Sequence, residues 1–171
     1  MQACFRQLNA KLDIDAFDSR LVAQKVVYLL EELGVKLGYK GTYGFHIRGT
    51  YSPTLTKDLY QSKAEGLLMA DPPALSHAEE QKVQRLKAVV DLRPYQLEVV
   101  AAYRYLTHEK GLPPDAALRE LKTRKPHLPE REVALGVSKC KQLFPQATAR
   151  DVDDLHAEMA AWDAAANRDH L

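Results

Sequence analysis

Apolar side chains recur at helical spacing along most of this chain, a periodicity that leaves little room for a sheet-based fold. Between Ser19 and Leu33, the residues Val22, Val26, Leu29, Leu30 and Leu33 stand at i, i+4, i+7, i+8 and i+11, with Gln24, Lys25, Glu31 and Glu32 off the stripe. A helix is expected there, closed by Gly34 where a left-handed residue is favoured. Ser52-Pro53 reads as an N-cap followed by proline in the first helical position, opening a helix through Leu55 and Leu59. Asp71-Pro72-Pro73 breaks the chain. Ser76 to Glu79 has the capping-box pattern and leads a helix carrying Val83, Leu86 and Val90.

Leu97 to Leu106 is apolar around nearly its whole circumference, which places it in the middle of a bundle and makes it the segment expected to be most buried. Gly111 caps it. Pro113-Pro114-Asp115 opens a further helix with Ala117, Leu118 and Leu121. Leu128-Pro129-Glu130 opens another with Val133, Val137, Cys140 and Phe144 on its stripe, acidic residues in its first turn and lysines in its last. The expected core includes Val22, Val26, Leu29, Leu30, Leu55, Leu59, Val100, Tyr103, Val133 and Val137.

One stretch breaks the helical rule. Gly38, Gly41, Gly44 and Gly49 are half of the eight glycines and fall within twelve residues. Between them Tyr43, Phe45 and Ile47 alternate with Gly44, His46 and Arg48. Alternation of period two with aromatic and β-branched residues predicts a strand or hairpin. The fold expected is therefore all-α: a helical bundle of seven or eight helices with one small β-hairpin or strand near residues 43–48.

The C-terminal stretch is a separate unit in this reading. Thr148 to Asp151 is a capping box, and Val152, Leu155, Met159, Trp162 and Ala166 form a seam only two heptads long. Residues 1–145 are taken as the helical domain. Residues 146–171 are taken as an acidic amphipathic helix that packs on the domain or on a partner.

Composition excludes several classes. Apolar runs reach only about five residues, as in Val99–Tyr103, against the roughly 20 of a membrane span. The leading MQACFRQLNAKLD has no apolar signal core, so a cytoplasmic protein is expected. Cys4 and Cys140 are far apart with no CxxC partner, and no two histidines stand at HxxxH spacing. A disulfide framework, a metal site and a cofactor are therefore not expected. Cys140 falls on an apolar stripe and should be a buried free thiol.

The net charge of +1 is unevenly spread. Arg119–Lys141 holds seven Lys/Arg against three Glu, whereas residues 146–171 hold two Arg against six Asp/Glu. The basic stretch is the basis of an alternative reading as a nucleic-acid-binding regulator. In it the helical hairpin 115–143 would offer Arg119, Lys122, Arg124, Lys125, Arg131, Lys139 and Lys141 to phosphates. Against it, the turn contains proline, and Glu130 and Glu132 open the second helix. A hairpin that closes the bundle is favoured.

The segment Phe45 to Pro53 joins the expected strand to a helix start. Gly49 permits a tight turn, and the helix beginning at Pro53 points unpaired N–H groups towards it. His46, Arg48 and Tyr51 supply polar side chains, so this turn is the candidate binding site. Catalysis is not expected. Ser52 beside His46 is the one conceivable pair, and a serine at an N-cap is normally engaged by backbone N–H groups. No Walker loop is present.

The run Leu21-x-x-Gln24-Lys25-x-x-Tyr28-Leu29-Leu30-x-x-x-Gly34, followed by Phe45 to Gly49-Thr50-Tyr51-Ser52-Pro53-x-Leu55, resembles the Panacea group. That group includes the SocA-like antitoxins and the YwgA-like proteins. The match is clearest from Leu21 to Tyr60 and weaker from Leu97 to Pro126. Gly49-Thr50 stands where the group carries Gly-Pro, which removes a fixed backbone angle. The resemblance implies a compact helical domain acting through protein contacts. Its partner would be a toxin or another protein encoded nearby. Gln24, Lys25, Tyr28, Arg48, Gly49, Tyr51, Ser52 and Pro53 are the positions that match. The function expected is a non-enzymatic protein-interaction module, antitoxin-like or adaptor-like.

Overall fold

A computed structural model of the chain describes residues 1–46, 49–69 and 71–145. Within them the helical periodicity becomes seven α-helices: α1 (Gln2–Gln7), α2 (Phe17–Glu32), α3 (Pro53–Ala64), α4 (His77–Val89), α5 (Pro94–Arg104), α6 (Pro114–Arg124) and α7 (Glu130–Leu143). Between α2 and α3 lies one antiparallel hairpin, β1 (Gly44–His46) and β2 (Gly49–Tyr51). Its register sets Gly44 opposite Tyr51, Phe45 opposite Thr50 and His46 opposite Gly49. The helical bundle with a small β-hairpin is the architecture that the periodicity predicts. The expected helix within 146–171 lies outside the described residues.

Helix α5 is the axis of the bundle. Every residue from Gln96 to Tyr103 is buried, as its all-round apolar surface requires. Helix α7 packs along it more extensively than any other element. Gly136 makes the close approach possible, because a Cβ there would stand 2.5 Å from Val99 Cβ. Past Arg104 the helix widens into a π-helical turn, Tyr105–Glu109, where Thr107 Oγ1 donates to the carbonyls of Tyr103 and Arg104 at 2.9 and 3.2 Å. Gly111 then adopts φ +62°.

Helix α2 is buried more completely than its stripe implies. Val26, Leu29 and Leu30 are in the core, but Gln24, Lys25 and Glu31 are buried too, whereas Val22 and Leu33 are only half-buried. Lying off the apolar stripe thus does not put these polar residues on the surface. The physical reason is that α2 is covered on several sides at once, by α3, α4, α5 and β2. Of the other expected core residues, Leu55, Leu59, Val100, Tyr103 and Val133 are buried, and Val137 lies half-buried at the edge. Helix α1, which the periodicity did not mark, adds Cys4 and Phe5 to the core.

The punctuation residues act as their chemistry dictates. Gly34 sits at φ +86° after α2, letting the Val35 N–H reach the Leu30 carbonyl at 2.9 Å. Ser76 and Glu79 form a complete capping box at the start of α4. No described helix is long and apolar enough to cross a membrane.

Candidate functional site

The hairpin is held from behind by a side-chain amide. Gln24 Nε2 donates to the Ser52 carbonyl at 3.1 Å and to Thr56 Oγ1 at 2.9 Å, while Gln24 Oε1 accepts from the Ser52 N–H at 2.8 Å. Ser52 Oγ accepts from the Leu55 N–H at 3.1 Å, capping α3, and shares a 2.6 Å hydrogen bond with Thr42 Oγ1. Ser52 is fully buried and Gln24 nearly so. Both belong to the architecture of the strand-to-helix turn and present no atom to a partner. Its hydroxyl is engaged on two sides, and the His46 ring meets Tyr51 edge-on at 5.3 Å.

Beneath β2 lies a buried charge cluster. Gly49 adopts φ +93°, and a Cβ there would stand 3.4 Å from Lys25 Cε and 3.5 Å from Glu98 Cγ. Those are ordinary van der Waals distances, so it is the left-handed backbone that favours glycine here. Glu98, on α5, has Lys125 Nζ at 3.0 Å and His127 Nε2 at 3.3 Å from the same carboxylate oxygen. The lysine contact is an ion pair, and neither contact is a well-aligned hydrogen bond. Lys125 Nζ also donates to the His46 carbonyl at 3.0 Å and lies 5.4 Å from the centroid of Phe45. The ammonium therefore ties the end of α6 to β1.

What the turn shows to solvent is narrower than the sequence suggests. His46 and Pro53 are exposed and Tyr51 is half-buried, whereas Lys25, Gly49 and Ser52 are buried. Arg48 lies outside the described residues.

Three of the basic residues of α6, its C-terminal cap and α7 are drawn into ion pairs. Lys125 is buried, Lys122 pairs with Glu130 at 2.7 Å, and Arg124 pairs with Glu120 at 2.5 Å while its guanidinium carbon stands 5.3 Å from the centroid of Phe45. Arg119, Arg131 and Lys141 are exposed and Lys139 half-buried.

A surface that the sequence reading passed over is more distinctive. Phe17, Tyr60 and Tyr95 are about half exposed, at 54%, 48% and 50%. The Arg20 guanidinium carbon sits 5.6 Å from the ring centroid of Phe17 and 6.0 Å from that of Tyr60. Arg20 Nη1 donates to the Ile14 and Asp15 carbonyls at 2.7 and 3.0 Å, which fixes the side chain in place. A groove of about 220 Å³ lies between α2 and α5, walled by Asp18, Leu21 and Val22 on one side and Pro94 and Tyr95 on the other, with Lys25 and Glu98 also in its lining. The signal was available in the sequence: Phe17 precedes the α2 stripe and Tyr60 falls off the Leu55–Leu59 stripe, so neither has a core to enter.

Both thiols are buried. Burial holds the Cys4 thiol above its ordinary pKa and pushes Cys140 up to about 12, leaving each protonated and weakly nucleophilic at neutral pH. No family model, curated protein or solved structure matches this chain.

Proposed function

We propose that the chain is a non-enzymatic protein-interaction module, adaptor-like or antitoxin-like, which docks a partner polypeptide on the surface formed by Phe17, Arg20, Tyr60 and Tyr95. The observation that carries this reading is the Phe17–Arg20–Tyr60 stack. Aromatic and arginine side chains dominate binding energy at protein interfaces. Arg20 is already ordered by two backbone carbonyls, so less side-chain entropy is lost when a partner covers it. The flanking groove accepts an apolar side chain, and the guanidinium complements a carboxylate on the same partner segment.

The candidate nucleophiles support the same direction, since Ser52, Cys4 and Cys140 are all occupied or buried. The resemblance of residues 21–60 to the Panacea group agrees with a role through protein contacts. It also gives Gln24 and Ser52 a structural meaning, as the pair that sets the turn. The nucleic-acid alternative is less well supported, because three of its seven cations are engaged by Glu98, Glu120 and Glu130.

Affinity capture with the full chain as bait, followed by mass spectrometry of what is retained, tests the proposal. A protein retained by the native chain and lost with Phe17→Ala/Tyr60→Ala is the expected result. Retention of nucleic acid alone, lost on charge reversal at Arg119 and Arg131, would favour the alternative.

A further inference from the structure

Helix α2 ends on two carboxylates, Glu31 and Glu32, with no basic residue in its last turn. That is the end of a helix where negative charge is least welcome. The π-helical turn after α5 brings His108 and Glu109 to the same place. His108 Nδ1 lies 2.9 Å from Glu32 Oε2 and 3.9 Å from Glu109 Oε1. One nitrogen and two carboxylate oxygens from Glu32, His108 and Glu109 all fall within 4.8 Å of one another. Such turns recur at functional sites because the wider backbone re-aims side chains.

An independent observation points to a ligand there. Next to His108, a cavity of about 50 Å³ is lined by its two carboxylate neighbours Glu32 and Glu109 together with Tyr28, Glu31, Lys40 and Tyr43. Three polar atoms of that lining, Glu31 Oε2 and the Tyr28 and Tyr43 hydroxyls, are buried with no hydrogen-bond partner among the described residues. Glu31 is 5% exposed and Tyr28 2%, and the other Glu31 oxygen is already used by the Tyr39 N–H at 2.6 Å. Buried polar groups are almost always paired. Three unpaired ones around a cavity large enough for one or two small polar atoms mark a place where something polar sits.

We infer that Glu32, His108 and Glu109 form a binding site for a divalent transition-metal cation, zinc fitting its chemistry best. One imidazole with two carboxylates is a mixed nitrogen and oxygen set, suited to zinc and its neighbours rather than to magnesium or calcium, which take oxygen alone. Glu31, Tyr28 and Tyr43 stand ready to hydrogen-bond the water or small-ligand atoms that complete the cation's shell. Arg104 acts as the orienting partner, its Nε 2.6 Å from Glu32 Oε2, where it holds the carboxylate in position. Sequence spacing could not show this set, since Glu32 is far along the chain from His108 and Glu109. The site stands apart from the docking surface and does not depend on it.

The test uses the full chain, untagged and stripped with chelator, titrated with zinc chloride by calorimetry and followed by thermal unfolding. The expected result is one zinc bound per chain with a higher melting temperature. Affinity should fall at least tenfold in His108→Ala and in Glu109→Gln, two side chains exposed enough to be changed without loss of the fold. His77→Ala, on α4, should bind as the native chain does, and millimolar magnesium should not compete. Absence of saturable zinc binding, or equal binding by His108→Ala, would overturn the inference and leave the trio as an ion-pair cluster around Arg104. Loss of the visible absorption of cobalt-loaded chain in His108→Ala, but not in His77→Ala, is the second readout.

Discussion

Gln24 and Ser52 are joined by two hydrogen bonds running in opposite directions, the glutamine amide donating to the serine carbonyl and accepting from the serine N–H. A side chain on α2 thereby does for the end of β2 what a neighbouring strand would do. The hairpin has only two strands of three residues, too little to be stable by itself. Its position comes from this amide and from the charges beneath it.

Replacing Gln24 by Leu keeps the volume and removes the partner of the Ser52 N–H, while the Ser52 carbonyl keeps the Thr56 N–H at 3.1 Å. One buried backbone donor is left unpaired, which costs about 1–3 kcal/mol. Chemical denaturation should show that loss, and partner capture per folded molecule should not change.

Lys125→Met removes the ammonium that stands 3.0 Å from the buried Glu98 carboxylate. Breaking a buried pair from one side costs about 3–5 kcal/mol. The double variant Glu98→Gln/Lys125→Met should recover part of that loss, because no charge is stranded. Equal stability of the single and double variants would show that the lysine acts through the His46 carbonyl instead.

Gly136→Ala tests the α5–α7 contact. At an exposed helical position this change stabilises by about 1 kcal/mol. Here the new Cβ meets Val99, so the sign should reverse, with a loss of about 1–3 kcal/mol. The melting temperature decides between the two.

Cys140 should react with a thiol reagent at pH 8 roughly a thousandfold more slowly in the folded chain than in the unfolded one, since its pKa is pushed up to about 12 from 9.0 by burial. The linkage has a definite sign. The folded state holds its proton more tightly, so this thiol adds stability that is fully present below pH 9 and lost as pH rises towards 12. Denaturation midpoints of Cys140→Ala should lack that alkaline slope.

The helices were legible because apolar stripes and caps are local. Val26, Leu29 and Leu30 announce α2, and Ser52-Pro53 and Ser76–Glu79 announce the starts of α3 and α4. What was not legible depends on tertiary surroundings. Gln24 and Lys25 read as outward-facing, yet β2 and α5 cover them, and no single helix carries that information. Helix α1 is six residues long, too short for a period to repeat. The π-helical turn has no sequence signature, so the meeting of His108 with Glu32 was invisible. Of the candidate site, the exposure of His46 was readable, whereas Tyr51, expected to be exposed, is half-buried. The Phe17–Arg20–Tyr60 stack needs α2 and α3 in register before it exists.

The docking surface is the central claim, and the most direct measurement is the affinity of the captured partner for the native chain and for Phe17→Ala, Arg20→Ala and Tyr60→Ala. At least one of the three should weaken binding by about 30-fold, the equivalent of about 2 kcal/mol for a residue that dominates an interface. Melting temperatures of the two aromatic variants should stay within a degree or two of the native chain, because neither ring is in the core. Unchanged affinity in all three variants, with the partner still bound to the native chain, would contradict the account.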